Sequence, residues 1–297
     1  MPTKADQLAF AGKKQANQDV SAEALVVVVL TQNEETNLPY CLASLNGLAC
    51  TVVVVDSGST DRTLEIAQAN GANVLHHAFD NYAAQRNWAQ NNLPVETPWI
   101  LHLDADERLT PGLVEEINRT LCAPNNDLDG FLLRKRTVFM GKWIRHGGHY
   151  PSYHLRLFRR SRGICEDRLY DQHFVVGGAT KQLQNDYLDV VASSLTTWTL
   201  RHGRWAAMEA QEIQTVQDRR LQVHATLIGN PIERRRWLRN KMYARGPLFA
   251  RAFLYWFYRY FIRFGFLDGK EGLIFHFLQG FWFRFLVDAI IVERQRV

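Results

Sequence analysis

The chain has 297 residues, 46% of them hydrophobic, enough for one large α/β domain with or without an appendage. Its net charge of +5 is unevenly spread: residues 231–297 hold 13 Lys and Arg against 5 Asp and Glu, so the first 230 residues are slightly acidic. That split argues against a chain-wide nucleic-acid surface, and Cys41, Cys50, Cys122 and Cys165 stand at spacings that suit neither a disulfide framework nor a zinc site, as expected in a reducing compartment.

Residues 1–23 mix Lys13, Lys14, Gln15, Asn17 and Asp19 with no apolar core of the kind a signal peptide carries, so a flexible cytoplasmic leader is expected. Residues 25–30 are an uninterrupted aliphatic run, which predicts a buried parallel strand ending in the polar loop Thr31-Gln32-Asn33-Glu34-Glu35. A helix over 35–45 follows, with Leu38, Leu42 and Leu45 on one face. Residues 51–55 repeat the strand pattern and run into Asp56-Ser57-Gly58-Ser59-Thr60-Asp61, where Ser59, Thr60 or Asp61 can cap a helix buried by Leu64, Ile66 and Ala67. A short strand at 73–75, a helix over 81–91 and a strand from Trp99 continue the alternation. Such spacing predicts a mostly parallel sheet with helices on both faces, whose ligands bind beyond the carboxyl ends of the strands. Neither a glycine-rich dinucleotide fingerprint nor a P-loop signature follows the first strand.

The Trp99 strand ends in Asp104-Ala105-Asp106-Glu107. On an extended chain residues two apart share a face, so Asp104 and Asp106 are expected side by side. Paired carboxylates repel, and a divalent cation or a shared proton relieves them. Mg²⁺ keeps most of its shell for water and substrate phosphate, so the pair predicts a phosphorylated ligand. The plainer alternative is an acidic turn in which Asp106 or Glu107 caps the helix that Pro111 starts.

Taken in order, Thr31-Gln32-Asn33-Glu34-Glu35, Val54-Val55-Asp56-Ser57-Gly58-Ser59-Thr60-Asp61, Gln85-Arg86-Asn87 and Leu103-Asp104-Ala105-Asp106-Glu107 resemble the family 2 inverting glycosyltransferases of the GT-A fold. Within them the chain looks most like the bacterial branch that adds sugars to lipopolysaccharide core or other envelope glycans. The motifs cover roughly residues 25–110, and the branch-specific part reaches about residue 175. The resemblance implies a Rossmann-like GT-A domain over residues 24–230, a nucleotide-sugar donor, UDP-linked, and Mg²⁺ or Mn²⁺. It implies that Thr31, Asn33 and Glu34 border the nucleotide, that Asp56 accepts a hydrogen bond from uracil or another base edge, and that Arg86 lies near the nucleotide. Asp104 and Asp106 would form the metal-diphosphate site. Each role suits its side chain: a carboxylate accepts from a ring N–H, a guanidinium offsets diphosphate charge, and a metal stabilises a departing nucleoside diphosphate. The alternatives are a helix-capping turn for Asp56, which Asp61 fits better, and a surface helix position for Arg86.

A helix over 111–121 and a strand over 130–136 come next, then the glycine-broken segment 140–151, whose Trp143, Arg145, His146, His149 and Tyr150 suit an active-site loop that stacks a sugar. His146 and His149 have no third ligand nearby, so no metal is expected there. Residues 153–160 alternate as a strand, with Leu155, Leu157 and Phe158 inward and Arg156, Arg159 and Arg160 available to phosphates. An inverting transfer needs a carboxylate that takes the acceptor hydroxyl's proton. Many proteins resembling this branch have His-Glu-His where this chain has Asp171-Gln172-His173. Gln172 cannot act as a base, so Asp171 is the substitute candidate, with Glu166 and Asp167 behind it. The alternative for Asp171 is a loop salt bridge with Arg168. Residues 201–222 read as a polar helix covering the domain edge.

Residues 231–297 hold 18 of the chain's 35 aromatics beside their basic excess. Amphipathic helices that interleave Arg with Trp, Tyr and Phe suit a membrane interface. Residues 272–292 are long enough to span a bilayer, but His276, Gln279, Arg284 and Asp288 make crossing costly, so lying on the membrane is expected. A helical subdomain packed on the catalytic domain or on a second subunit is the alternative. The expectation is a glycosyltransferase peripheral on the cytoplasmic face of the inner membrane, acting on a lipid-linked glycan, with no nucleic-acid partner. Sugar transfer to polyprenyl phosphate would call for a clear pair of spanning helices, which is not seen. Gln172 keeps open a nucleotide-sugar-binding or scaffold protein that has lost catalysis.

Overall fold

The computed structural model describes residues 24–123, 127–215 and 222–296; the leader expected over 1–23 and positions 216–221 of the helix expected over 201–222 lie outside the described residues. A mixed α/β sheet with helices on both faces forms the body. Its parallel half is β3 (Asn73–His76), β2 (Thr51–Asp56), β1 (Leu25–Thr31) and β4 (Trp99–Asp104), in that spatial order. Leu25 to Val29 are fully buried because both faces of β1 are covered. Leu25, Val27 and Val29 pack with α1 (Leu38–Ala43), α2 (Thr63–Ala69) and α4 (Pro111–Leu121), while Val26 and Val28 pack towards Trp88 and Ala89 of α3 (Tyr82–Asn91). This is the continuous apolar run of a strand covered on both sides.

The register brings the carboxyl ends of these strands together. Thr31 lies opposite Asp56 across β1 and β2, and Leu30 lies opposite Asp104 across β1 and β4. The three polar strand ends therefore open at one rim, as the sequence leads one to expect.

The other half continues from β4 through β8 (Ser152–Arg159), β6 (Gly130–Phe139) and β11 (Thr180–Val191) to β5 (Glu107–Leu109), with β7 (Lys142–Trp143) on β6. Only Ala105 and Asp106 separate β4 from β5 in the chain, yet three strands lie between them in the sheet. The sheet must curl so that β5 returns beside β4. β8 sits between β4 and β6, and its residues Leu155 to Phe158 are buried on both faces. The alternation expected over 153–160 is thereby corrected. Arg156 is not available to phosphates but points into the curl. Arg159 lies over the Trp99 ring at 4.6 Å and donates to the Leu128 carbonyl, and Arg160 donates to the Val95 carbonyl and to Glu96. A small hairpin of β9 (Gly163–Cys165) and β10 (Phe174–Val176) stands outside the sheet.

The C-terminal helices begin with α5 (Leu195–Gln214) and α6 (Pro231–Leu238), the latter opened by Asn230 and Glu233 in a reciprocal capping box. α7 (Ala250–Phe257), α8 (Gly269–Phe275) and α9 (Phe283–Arg294) follow, and α6, α7 and α8 each run on into a wider π-type turn. Ala206 and Ala210 of α5 pack against Phe283, Val287 and Ile291 of α9. Phe139 and Ile144 of the sheet body pack against Trp198 and Phe275. One side of the tail is thus seated on the domain, while Gly265–Arg294 is also a helical run of 30 residues that holds an 18-residue stretch of mean hydropathy 1.4, compatible by length and composition with crossing a membrane.

Candidate active site

The first two loops of the rim are sewn to each other. Asp56 is 1% exposed and accepts four hydrogen bonds. Thr31 Oγ1 (3.1 Å) and Ser59 Oγ (2.5 Å) donate to its Oδ1, and the Gly58 and Ser59 amides (2.9 Å each) donate to its Oδ2. Gly58 makes the turn possible at a φ of +88°. Asn33, in the left-handed region at φ +56°, donates its amide to Ser59 Oγ (2.8 Å) and accepts from the Thr60 amide (2.8 Å). Asp61 plays the capping part: it accepts from the Thr63 amide at 2.9 Å and from the Glu35 amide at 3.0 Å. Burial raises the Glu34 carboxyl, against a 2.8 Å hydrogen bond from Asn37.

The inside of the curl holds the acidic site. Arg86 donates to both oxygens of Asp104, at 2.9 and 3.1 Å. Arg156, from β8, donates to Asp104 at 3.0 Å and to Glu107 at 2.5 Å. α3 can offer Arg86 so rigidly because its neighbours are clamped. Asn81 caps the helix, Gln85 bonds Ser57 and His77, and Asn87 exchanges two hydrogen bonds with the Cys165 backbone. Burial by itself would raise the Asp104 carboxyl, but the two guanidiniums hold it well below the usual carboxylate range. Burial pushes Glu107 up to about 7, against the pull of Arg156.

Asp106 differs from both. Its carboxylate makes no hydrogen bond or ion pair among the described residues. Burial, followed by the charges of Asp189, Asp104, Glu107 and Glu34, pushes it well above the carboxylate range. Asp189 faces Glu107 across β11 and β5, and its own partner is Lys135 at 2.8 Å. The side-by-side placement expected from strand alternation stops at Asp104, because Asp106 already belongs to the turn. No cluster of three His, Cys, Asp or Glu side chains arranged for a metal is found among the described residues. An ion here would take Asp106, with Asp104 beside it, and complete its shell from water and phosphate, which is how Mg²⁺ is usually held. The donor set fits such an ion: hard oxygens, surplus negative charge and free lone pairs.

The three candidate bases have unequal surroundings. Glu166 is fully buried and takes hydrogen bonds from the His173 and Val223 amides (2.9 and 2.8 Å) and from Arg236 (2.9 Å). It is an anchor for the 166–173 loop, and its complete burial keeps it from an acceptor. Asp167 is exposed on that loop. Asp171, at a left-handed φ of +53°, is paired with Arg239 and stands 3.6 Å from His173. Burial works to raise its carboxyl, but Arg239, His173 and Arg236 outweigh it and hold it well below the usual range. The salt bridge expected for it with Arg168 is not formed, since Arg168 pairs with Glu212 at 3.3 Å. The loop does reach the rim: Phe174 lies 4.5 Å from the His102 ring and 5.8 Å from the Arg86 guanidinium.

The segment 140–151 is a brace more than an open sugar platform. Arg136 and Arg145 lie over the Trp143 ring at 4.6 and 5.4 Å. Tyr150 donates to Asp186, and His146 holds Asp268 of the tail through its amide (2.9 Å) and Nδ1 (2.6 Å).

The family model for Glycosyl transferase family 2 matches residues 26–185, a stretch that contains every strand of the curled sheet except the end of β11 and the start of β1. The chain belongs to this family. Among similar proteins, one from Rickettsia bellii described as an uncharacterized glycosyltransferase is 35% identical over 99 residues, covering 33% of each chain. The lipopolysaccharide core biosynthesis glycosyltransferase LpsC of Rhizobium meliloti is 31% identical over 144 residues, 47% of this chain and 52% of that protein. The chain thus spans about a third to a half of the length of these curated relatives. Of solved structures, Staphylococcus aureus TarS 1-349 in complex with UDP-GlcNAc aligns over 92% of both chains with 13% identity and a TM-score of 0.42.

In this member of glycosyl transferase family 2 the sequence picked out Asp104, Asp106, Arg86 and Asp56, and the fold brings all four to one rim. It missed Asp189 and Lys135, and misread Arg156. Those side chains come from strands far away in the chain, and only the curl makes them neighbours. Lys135 and Asp189 stand on strands that carry several other polar residues, so nothing local set them apart.

Proposed function

We propose that the chain is an inverting, metal-dependent glycosyltransferase that moves a sugar from a UDP-sugar to a lipid-linked envelope glycan at the cytoplasmic face of the inner membrane. The observation that carries this reading is Asp106, a carboxylate with unused lone pairs among four other acids at the rim where β1, β2 and β4 end. Mg²⁺ or Mn²⁺ held there, chiefly by Asp106 with Asp104 next to it, would act as a Lewis acid on the diphosphate leaving group. Arg86 and Arg156 keep Asp104 ionised and fixed. Thr31, Asn33 and Glu34 border the nucleoside. For Asp56 to accept from a base N–H, Thr31 or Ser59 must turn its hydroxyl away, since both now donate to the same oxygen. The 31% identity to LpsC supports an envelope glycan as acceptor.

Asp171 takes the acceptor proton in a single displacement. While Arg239 is on it, its proton affinity is too low for that work, so the entering acceptor hydroxyl must first displace the guanidinium. The same clamp, next to Gln172, favours a second reading, a nucleotide-sugar-binding protein without turnover. UDP release from a panel of UDP-sugars, with Mn²⁺ and an envelope lipid extract, separates the two. The enzyme reading expects turnover in the wild type and a loss of about a hundredfold or more in Asp171→Asn at unchanged UDP affinity. UDP binding with no release from any donor would favour the second reading.

A further inference from the structure

We infer that the chain meets an anionic lipid bilayer with the outer side of α7 and the turn that follows it, and not with Gly265–Arg294, the helical run long and apolar enough to cross one. Leu254, Phe257, Phe261 and Ile262 are exposed and recur at helical spacing, and Phe264 and Leu267 extend the same apolar surface past the end of the helix. Leu254 is 61% and Leu267 57% exposed, and with their neighbours they make one apolar patch. The opposite side of α7 and its π-type extension is committed to the protein, because Arg251, Ala252 and Arg259 are buried there. Arg251 Nε donates to Asp288 at 2.9 Å, and Arg259 Nε donates to the Gly147 carbonyl at 2.6 Å. The apolar side therefore has no choice but to face outward. Exposed Arg245, Arg263 and Lys270 bracket it. An apolar patch of rings and aliphatics rimmed by cations is the composition that sinks to headgroup depth and is drawn to anionic lipid.

Gly265–Arg294, which could span by length and composition, is placed for another task. Phe283, Val287 and Ile291 are buried against α5, and Asp288 is fully buried in its pair with Arg251. Drawing this helix into lipid would break that pair and expose α5. The insertion edge is also tied to the catalytic body. The Gly147 amide donates to the Arg263 carbonyl at 2.9 Å, and the His146 amide donates to Asp268 at 2.9 Å. A Cβ on Gly147 would come within 2.1 Å of His276, so the brace fits closely. An edge held this rigidly fixes the height of the rim above the bilayer, which suits a lipid-linked acceptor. The inference rests on the proposed function only for the acceptor's whereabouts.

The test is flotation of the full chain with preformed vesicles of phosphatidylglycerol and phosphatidylcholine in equal parts, against phosphatidylcholine alone. The wild type should float with the anionic vesicles and much less with the neutral ones. The triple variant Leu254→Glu, Phe261→Glu, Leu267→Glu should lose about tenfold or more of its bound fraction at an unchanged melting temperature, since those side chains are exposed. Alkaline carbonate should release the wild type from vesicles. No flotation of the wild type, equal flotation of the triple variant, or resistance to carbonate overturns the inference. So does a dimer in size-exclusion chromatography that the triple variant disperses, because a second copy would then cover the face. UDP binding measured on the same samples separates failure here from failure of the donor reading.

Discussion

The rim of the sheet and the helical tail both bury ionisable side chains, but they balance them differently. In the tail, Asp288 is matched by Arg251 and the Phe249 amide, and Asp268 by His146. At the rim, Arg86, Arg156 and Lys135 pair with Asp104, Glu107 and Asp189, while Glu34 is met by the Asn37 side-chain amide and Asp106 by no partner among the described residues. A buried charge without a partner is costly, so a fold keeps one only where something else supplies the opposite charge. Balance in the tail marks structure, and imbalance at the rim marks a place for a ligand.

The largest effect that could break this contrast lies in the tail. Arg251→Met should leave Asp288 buried and unpaired and destabilise the protein by about 3–5 kcal/mol in chemical denaturation. Adding Asp288→Leu should recover most of that loss, because replacing both members of a buried pair is often neutral. If Arg251→Met costs little, the tail is not balanced in the way described.

A smaller effect concerns acid. Burial lowers His276 to about 4, with Arg259 adding to the effect and Asp268 opposing it. Burial likewise lowers His202 to about 4, against its hydrogen bond to the Trp198 carbonyl. A histidine kept neutral by the fold is protonated first in the unfolded chain. Stability should therefore hold above about pH 6.5 and fall as the pH drops from there towards about 4, at up to roughly 3 kcal/mol per histidine. Melting temperatures over that window should fall less steeply in His276→Asn than in the wild type. Parallel curves would mean that His276 binds its proton equally in both states.

The smallest effect has the opposite sign. Asp106→Asn removes one of the crowded charges, and without metal or nucleotide it should stabilise the protein by roughly 0.5–2 kcal/mol. A destabilised variant would show that Asp106 is a structural partner like Asp288.

The parallel half of the sheet was legible because β1, β2 and β4 are short, largely buried apolar runs, and its loops carry the chemistry within a few residues of each run. Burial on both faces leaves a signal that local sequence contains. The curl was not legible. The pairing of Glu107 with Asp189 joins residues far apart in the chain, and nothing near either one announces it. Arg156 was read as exposed for the same reason: two-residue alternation assigns it a face but does not say that β5 folds over that face. Arg239, which holds Asp171, lies 68 residues further along, so the nearer Arg168 was the natural partner to expect. In the tail, composition pointed to aromatics and cations at an interface, while the docking of α9 on α5 depended on small residues, Ala206 and Ala210, that composition does not single out.

The central claim is that the surplus charge at Asp106 is a seat for a cation shared with a nucleoside diphosphate. Calorimetric titration of UDP into the full chain, with and without Mn²⁺, tests it most directly. The account predicts that UDP binds with Mn²⁺ and binds far more weakly without it, that Asp106→Asn loses about a hundredfold of the Mn²⁺-dependent affinity, and that Asp171→Asn binds like the wild type. UDP affinity that is indifferent to Mn²⁺, or unchanged in Asp106→Asn, would contradict it.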